Sequence, residues 1–256
     1  MEEVRVGDPW KIYDELIEGV SPEPTVAAAS VGLRWSRILS SEGGLGMGLT
    51  FGEQSRPPLF EAPSFVGAPL REVAALVKSW NFAEAALGLA ALNAWYSQPE
   101  TAAKNGFVSS DVNLWQQVFH PYSEAVAGKK VSVIGHFPFA PEPLAQAAEL
   151  RMLERNTKPG DYPDPAAEYL LPDSDFVFIS SSAFVNKTMP RLLELSHNAT
   201  TVLVGPSTTL SPTLFKHGAD VLTGFVAKDP EQLFDAVGNV TLSGMYDHGQ
   251  RVQQQA

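Results

Sequence analysis

The chain has 256 residues, with 18 Lys and Arg against 29 Asp and Glu, a formal net charge of −11, 44% hydrophobic residues and no cysteine. It is long enough to bury a sizeable core and falls at the border between one domain and two, with the composition of an ordinary globular protein. The acidic balance argues against a nucleic-acid partner, whose non-specific affinity comes from Lys and Arg on phosphates, and the lack of cysteine excludes disulfides and thiolate metal sites.

The opening MEEVRVGDPWK has no apolar stretch of signal-peptide type, and no run of about 18 apolar residues could span a bilayer, so a cytoplasmic protein without a membrane partner is expected. Trp10, Ile12, Tyr13, Leu16 and Ile17 recur at helical spacing and predict a first helix ending at Gly19. Thr25 to Ser40 reads as two strands meeting at Gly32. The glycines of SEGGLGMGLTF lack the Lys-Ser/Thr ending of a phosphate loop, and they read as a hairpin turn and strand closely approached by other backbone. A proline-rich connection from Gln54 leads to Pro69, which opens the helix LREVAALVKSW. Asn81 is placed to cap FAEAALGLAALNAWYS, whose alanines suit close packing and allow a dimer surface. Three strands followed by a helical pair indicate an α+β unit.

Ser97 to Gly128 has weak periodicity and reads as a crossover with a short helix at Val112 to Phe119. From Lys129 onward strand and helix alternate. Strands are predicted at Val131 to Gly135, Leu150 to Glu154, Phe176 to Ser180, Thr201 to Gly205 and Ala219 to Thr223. Helices are predicted at Pro143 to Ala148, Pro165 to Leu170, Phe184 to Ser196, Pro212 to His217 and Pro230 to Val237. This rhythm predicts a parallel sheet with helices on both faces. The polar end, RVQQQA, reads as a mobile tail.

Ligands of doubly wound sheets bind at the carboxyl ends of strands. Three such ends carry polar or glycine-bearing loops: Gly135-His136-Phe137-Pro138, Ser180-Ser181-Ser182 running to Asn186, and Gly205-Pro206-Ser207-Thr208. With the five strands ordered 3-2-1-4-5, the first and third loops would flank the switch point and the second would lie beside the first. Glu154 stands at a spacing after Gly135 suited to a ribose contact, or it pairs with Arg151 or Arg155. The residues after Gly135 lack the two further glycines of a dinucleotide loop, which argues against NAD. His136 is the leading titratable candidate, as a group that titrates near neutral pH or ligates a metal, or else as a histidine held by backbone hydrogen bonds to shape the loop. No H-x-x-H or H-E-x-x-H is present, and no serine sits in a nucleophile elbow. In GDYPDP, Asp164 is placed to cap a helix, whereas Asp161 or Tyr162 could reach over the crevice.

Five blocks carry a family resemblance: LREVAALVKSWNFAEAALGLAALNA, VSVIGHFPF, PGDYPDPAAEYLLPDSD, NKTMPRLLELSHNA and VLVGPSTTLSPTLF. They resemble the DUF364 family, labelled a candidate heavy-metal chelation domain, preceded by a DUF4213-like domain. The resemblance implies an enolase N-terminal-like α+β domain (1–110), a crossover (111–128), a Rossmann-like domain (129–246) and a tail (247–256). It also implies a site at the domain interface, built from Gly135, His136, Phe137, Pro138, Asn186 and Gly205 to Thr208, with Glu42 and Asn93 as weaker contributors. Together with Glu154 and Ser180 these residues form the candidate ligand site, with no metal ligand and no cofactor specified.

A soft metal prefers sulfur ligands, so without cysteine, recognition of a small chelator or its precursor is expected in place of direct chelation by side chains. An enzyme acting on a nucleoside-containing or chelator-like substrate, and an interaction module with a vestigial crevice, are the competing readings.

Overall fold

The structure, a computed structural model, describes residues 7–52, 55–58, 64–239 and 244–256. Part of the proline-rich connection expected after Gln54 lies outside the described residues, as does Gln54 itself. Helix α1 (Lys11–Glu18) precedes a three-stranded antiparallel meander, β1 (Val26–Val31), β2 (Trp35–Ser40) and β3 (Leu45–Leu49). Helices α2 (Leu70–Ala74), α3 (Phe82–Tyr96) and α4 (Pro99–Lys104) follow. As expected, the Asn81 side chain caps α3, accepting from the amides of Ala83 and Glu84.

Helix α3 is apolar on all sides, as a helix enclosed by protein must be. On one side it meets β3 at van der Waals distance. A Cβ at Gly44, Gly46 or Gly48 would fall within 1.9–2.2 Å of the carbonyl oxygens of Ala94, Ala90 and Ala86. Two residues of strand and four of helix cover nearly the same length, so alternate glycines match every fourth residue of α3. The glycine run is therefore the close backbone approach expected, with Gly43 turning the hairpin at φ +77°. Ala85, Ala86, Ala90, Ala91 and Ala94 of α3 are buried within the chain, and Ala83 partly so.

The second sheet has seven strands in the order β4-β10-β9-β8-β7-β5-β6. They are β4 (Val108–Ser109), β5 (Lys130–Ile134), β6 (Glu149–Leu153), β7 (Phe176–Ser180), β8 (Thr200–Val204), β9 (Val221–Ala227) and β10 (Gly249–Gln255). Strands β5 to β9 are parallel, and β10 and β4 complete the edge antiparallel. Alternating residues bury on opposite faces. Val131, Val133, Phe178, Val202 and Val204 pack with Phe119 and Leu144, while Val177, Ile179, Leu203 and Leu222 join a core shared with α1, α2 and α3. The sheet is thus mostly parallel and covered on both faces, with a separate antiparallel α+β unit. Among the described residues no helix is long and apolar enough to cross a membrane.

Several expectations need correction. Among the five parallel strands the order is 2-1-3-4-5, not 3-2-1-4-5. FVFIS of β7 is apolar on both faces and suits the centre, whereas ELRML of β6 carries Glu149 and Arg151 and suits an edge. The switch point therefore lies between β5 and β7, so the first and second loops flank it and the third lies beside the second.

The expected mobile tail is strand β10, hydrogen-bonded to β9 along all seven of its residues and to β4 on its other side. Its glutamines misled the reading, but a strand is held by its backbone. The buried Arg251 anchors it, donating to Ser110 Oγ and to the Leu114 carbonyl.

The helix expected at Phe184 to Ser196 is broken. A 3₁₀ turn at Ser181–Phe184 is followed by left-handed Lys187 (φ 69°), and α6 covers only Met189–Leu195. Pro190 fits only the first turn of a helix, and the Asn186 side chain takes up the amide and hydroxyl of Thr188. Nor does Asp164 cap a helix. It begins a 3₁₀ turn without a side-chain cap bond and pairs with Arg155 at 3.3 Å.

The remaining helical pieces are short. Trp115–Gln117 is a 3₁₀ turn within the stretch expected as a helix, and the segment around Pro143 forms turns. Helices α5 (Ala167–Leu170), α7 (Thr213–Lys216) and α8 (Pro230–Ala236) fall close to the expected positions.

Candidate functional site

Parallel pairing brings the carboxyl ends of β6, β5, β7 and β8 into one row. At that row opens a cleft of about 640 Å³, lined by the strand ends Glu154, Gly135, Ser180 and Gly205 and closed from the first unit by Arg34, Trp35, Leu49 and Phe51. That volume lies in the range of small-molecule sites. Aromatic side chains form part of its walls, with Phe137 and Phe139 from the loop after β5 and Trp35, Phe51, Trp115 and Tyr246 contributed by other segments.

Gly135 leaves β5 at φ +111° and Gly205 leaves β8 at φ +132°, conformations that L side chains rarely adopt. The turn at Gly135 directs His136 into the cleft, where its side chain remains 29% exposed. The imidazole Nδ1 lies 2.9 and 3.1 Å from the two carboxylate oxygens of Asp161, whose side chain is fully enclosed (0% exposed). Burial acts to raise the Asp161 carboxyl, but the Lys158 amide and the His136 ring outweigh it and hold it below the usual carboxylate range. A carboxylate at Nδ1 favours the tautomer with the ring proton on that nitrogen, and Nε2 is the ring nitrogen that Asp161 does not engage.

Glu154, which lines the cleft, holds backbone rather than an arginine. Its carboxylate accepts from the backbone amides of His136 (2.9 Å), Arg155 (2.7 Å) and Asn156 (3.2 Å), so it ties the loop after β5 to the end of β6. Asp164 is engaged by Arg155, and Glu168 by Arg191. The hydrogen bond from Arg191 holds the Glu168 carboxyl below its ordinary range. Each carboxylate lining the cleft is thus already bound by a cation or by amides.

Of the residues expected at the site, Gly135, His136, Phe137, Glu154, Ser180, Asn186, Gly205, Pro206 and Ser207 line the cleft. Pro138 is exposed on the outside of its loop, and Thr208 is buried beneath the site with its hydroxyl 2.7 Å from that of Ser181. Asn93 lies under the floor, donating to the carbonyls of Met47 and Ser207 and accepting from Thr209. Glu42 is exposed outside the cleft, its carbonyl accepting from Gln98, and Tyr162 also stands outside the lining.

Asp161, expected as one of two residues that could reach over the crevice, is the partner of His136. Arg155, Arg191, Trp35, Trp115 and Tyr246 carried no motif, and only their three-dimensional placement brings them to the cleft.

Among the described residues no three His, Cys, Asp or Glu side chains gather closely enough to hold a metal ion. The donor set, one free imidazole nitrogen among carboxylates already engaged, does not fit a resident metal caged by side chains.

The fold and site define a class: a doubly wound α/β protein with an α+β unit set over the carboxyl ends of its strands and a partly aromatic cleft between. The chain belongs to the DUF364 family, described as "Putative heavy-metal chelation", whose model matches residues 117–252, and the DUF4213 model of the same description matches residues 13–96.

A crystal structure of a DUF364-family protein of unknown function from Desulfitobacterium hafniense is similar at a TM-score of 0.87, with 41% identity over 96% of this chain and 98% of that one. A second, from Pyrococcus horikoshii, shares the fold at a TM-score of 0.77 and 23% identity, covering 97% of this chain and 99% of that one. An uncharacterised protein of Methanocaldococcus jannaschii is 27% identical over 196 residues, 73% of this chain and 72% of its own length.

Proposed function

We propose that this protein binds a small polar or anionic molecule, a metal chelator or its precursor, in the cleft between its two sheets, as a component of metal homeostasis. The observation that carries the reading is the cleft itself, a volume of about 640 Å³ in which aromatic and aliphatic side chains alternate with His136, arginines, carboxylates and hydroxyls. Sites that take organic ligands combine apolar walls with placed polar groups. The family description supplies the link to metals, and the donor set favours a chelated metal over a bare one.

The test is native mass spectrometry and metal analysis of protein purified without an affinity tag, followed by thermal-shift measurement across metals, chelators and metabolites. A retained ligand, or a stabilising shift that disappears when Gly135 is replaced by a bulky residue, supports the reading. No retained mass and no shift across the panel contradicts it.

A second reading is an enzyme acting on a nucleoside-containing or chelator-like substrate, with His136 as general acid or base. The Asp161 contact favours it, because a carboxylate at Nδ1 orients an imidazole whose Nε2 exchanges protons with a substrate. His136→Ala would then abolish turnover while leaving the melting temperature nearly intact.

A further inference from the structure

We propose that His136 Nε2 is a metal ligand of a particular kind: it supplies one coordination bond to a divalent transition-metal ion already held by a polydentate small molecule. This rests on the reading of the cleft as a chelate-binding site and adds what the protein itself gives to the metal.

Three observations lead to it. First, the Nδ1 side of His136 is occupied by the enclosed Asp161 carboxylate at 2.9 Å, which is the carboxylate–histidine arrangement that orients metal-bound imidazoles and raises their basicity. Second, the carboxylates that line the cleft are already engaged. Glu154 is bound by three amides, Asp164 by Arg155 and Glu168 by Arg191. His136 is the only histidine lining the cleft among the described residues.

Third, a first-row divalent ion takes about four to six donors, so one imidazole leaves most of the sphere to be filled by other groups. A cleft of about 640 Å³ can hold those groups as a single organic molecule, whose carbon skeleton would lie against Phe137 and Trp35. The ligand class is therefore an oxygen- or nitrogen-donor chelate with one coordination position open. A chelator that saturates the metal would forgo the bond.

The experiment uses the full-length, tag-free protein and copper(II) iminodiacetate, which leaves coordination positions open, with copper(II) EDTA as the saturated control. Electron paramagnetic resonance at substoichiometric loading reads the coordinated nitrogens, and calorimetry reads affinity. The expected result is one tight site for the open chelate, showing hyperfine coupling to a histidine nitrogen that changes in 15N-histidine-labelled protein. His136→Gln should remove this site, and Asp161→Asn should weaken it about 10- to 100-fold. Substitution of the exposed His197 should leave it intact, and the EDTA complex should bind at least tenfold more weakly.

The inference is overturned if His136→Gln, verified as folded by its melting curve, keeps the affinity and the nitrogen coupling. It is overturned also if both chelates bind equally and the wild-type signal shows no histidine nitrogen; in that case cleft binding survives and coordination fails. Binding of neither chelate, together with an empty metabolite panel, would remove both readings.

Discussion

Asn93 joins the two halves of the protein by three hydrogen bonds, and its removal can be costed. Its amide donates to the Met47 carbonyl of β3 at 2.8 Å and to the Ser207 carbonyl of the cleft loop at 2.9 Å, while its carbonyl accepts from the Thr209 hydroxyl at 2.8 Å. The residue is fully buried, so Asn93→Ala leaves two carbonyls and one hydroxyl without partners or ready access to water. Each such group costs about 1–3 kcal/mol. Rotation of the Thr209 hydroxyl recovers part of that cost, so a loss of about 3–5 kcal/mol is expected, a large fraction of a typical domain stability of about 5–15 kcal/mol. Asn93→Asp should be worse than Ala, because it aims a buried anion at two carbonyls. Equilibrium urea unfolding measures both variants. A loss below about 1 kcal/mol for Asn93→Ala, or an aspartate variant as stable as wild type, would refute the reasoning.

Further outcomes follow from other sites. Lys187 donates to the Val185 carbonyl and lies 5.8 Å from the Trp80 ring centre, and burial pushes its ammonium down to about 8 from 10.5. The folded pKa lies below the unfolded one, so the buried charge destabilises the fold fully below pH 8, and the penalty fades as pH rises toward 10.5. Lys187→Met should therefore stabilise the protein by about 3 kcal/mol near pH 7, with the gain disappearing by about pH 10.5; a gain independent of pH across urea titrations would exclude burial of the charge as the cause.

Gly46→Ala would place a Cβ 1.9 Å from the Ala90 carbonyl oxygen and 2.1 Å from the Ala94 nitrogen. Because those are backbone atoms, a loss of about 3 kcal/mol or more is expected. Gly43→Ala, with open space but φ +77°, should cost only about 1–2 kcal/mol; equal losses in thermal unfolding would argue against the close packing of β3 on α3. Truncation after Asp247 removes β10 and the buried Arg251, and should abolish cooperative unfolding by circular dichroism. An unchanged melting temperature would mean that the strand is dispensable.

Where periodicity and glycine or proline chemistry decide the structure, the sequence was readable. The Gly44 to Gly48 run, the Asn81 cap and the five parallel strands all stand where local rules put them. What escaped depended on partners distant in the chain. β10 is polar in side chain and held by backbone pairing, which composition does not register. The strand order turned on which strand is apolar on both faces, a contrast visible between FVFIS and ELRML.

At the cleft, the loop glycines and His136 were legible because strand ends concentrate polar residues. The division of labour among the carboxylates was not, since Asp161 lies 25 residues from His136 in the chain. Glu154 lines the cleft and also accepts from three backbone amides, a role that no local pattern announces.

The central claim is that the cleft beside His136 is a ligand site. Its most direct test is a crystal structure of tag-free protein, grown with the compound that gives the largest thermal shift. Non-protein density is expected bounded by His136, Phe137, Asn186 and Ser207, within bonding distance of His136 Nε2. Density for that compound elsewhere on the surface, with the cleft holding only water, would contradict it.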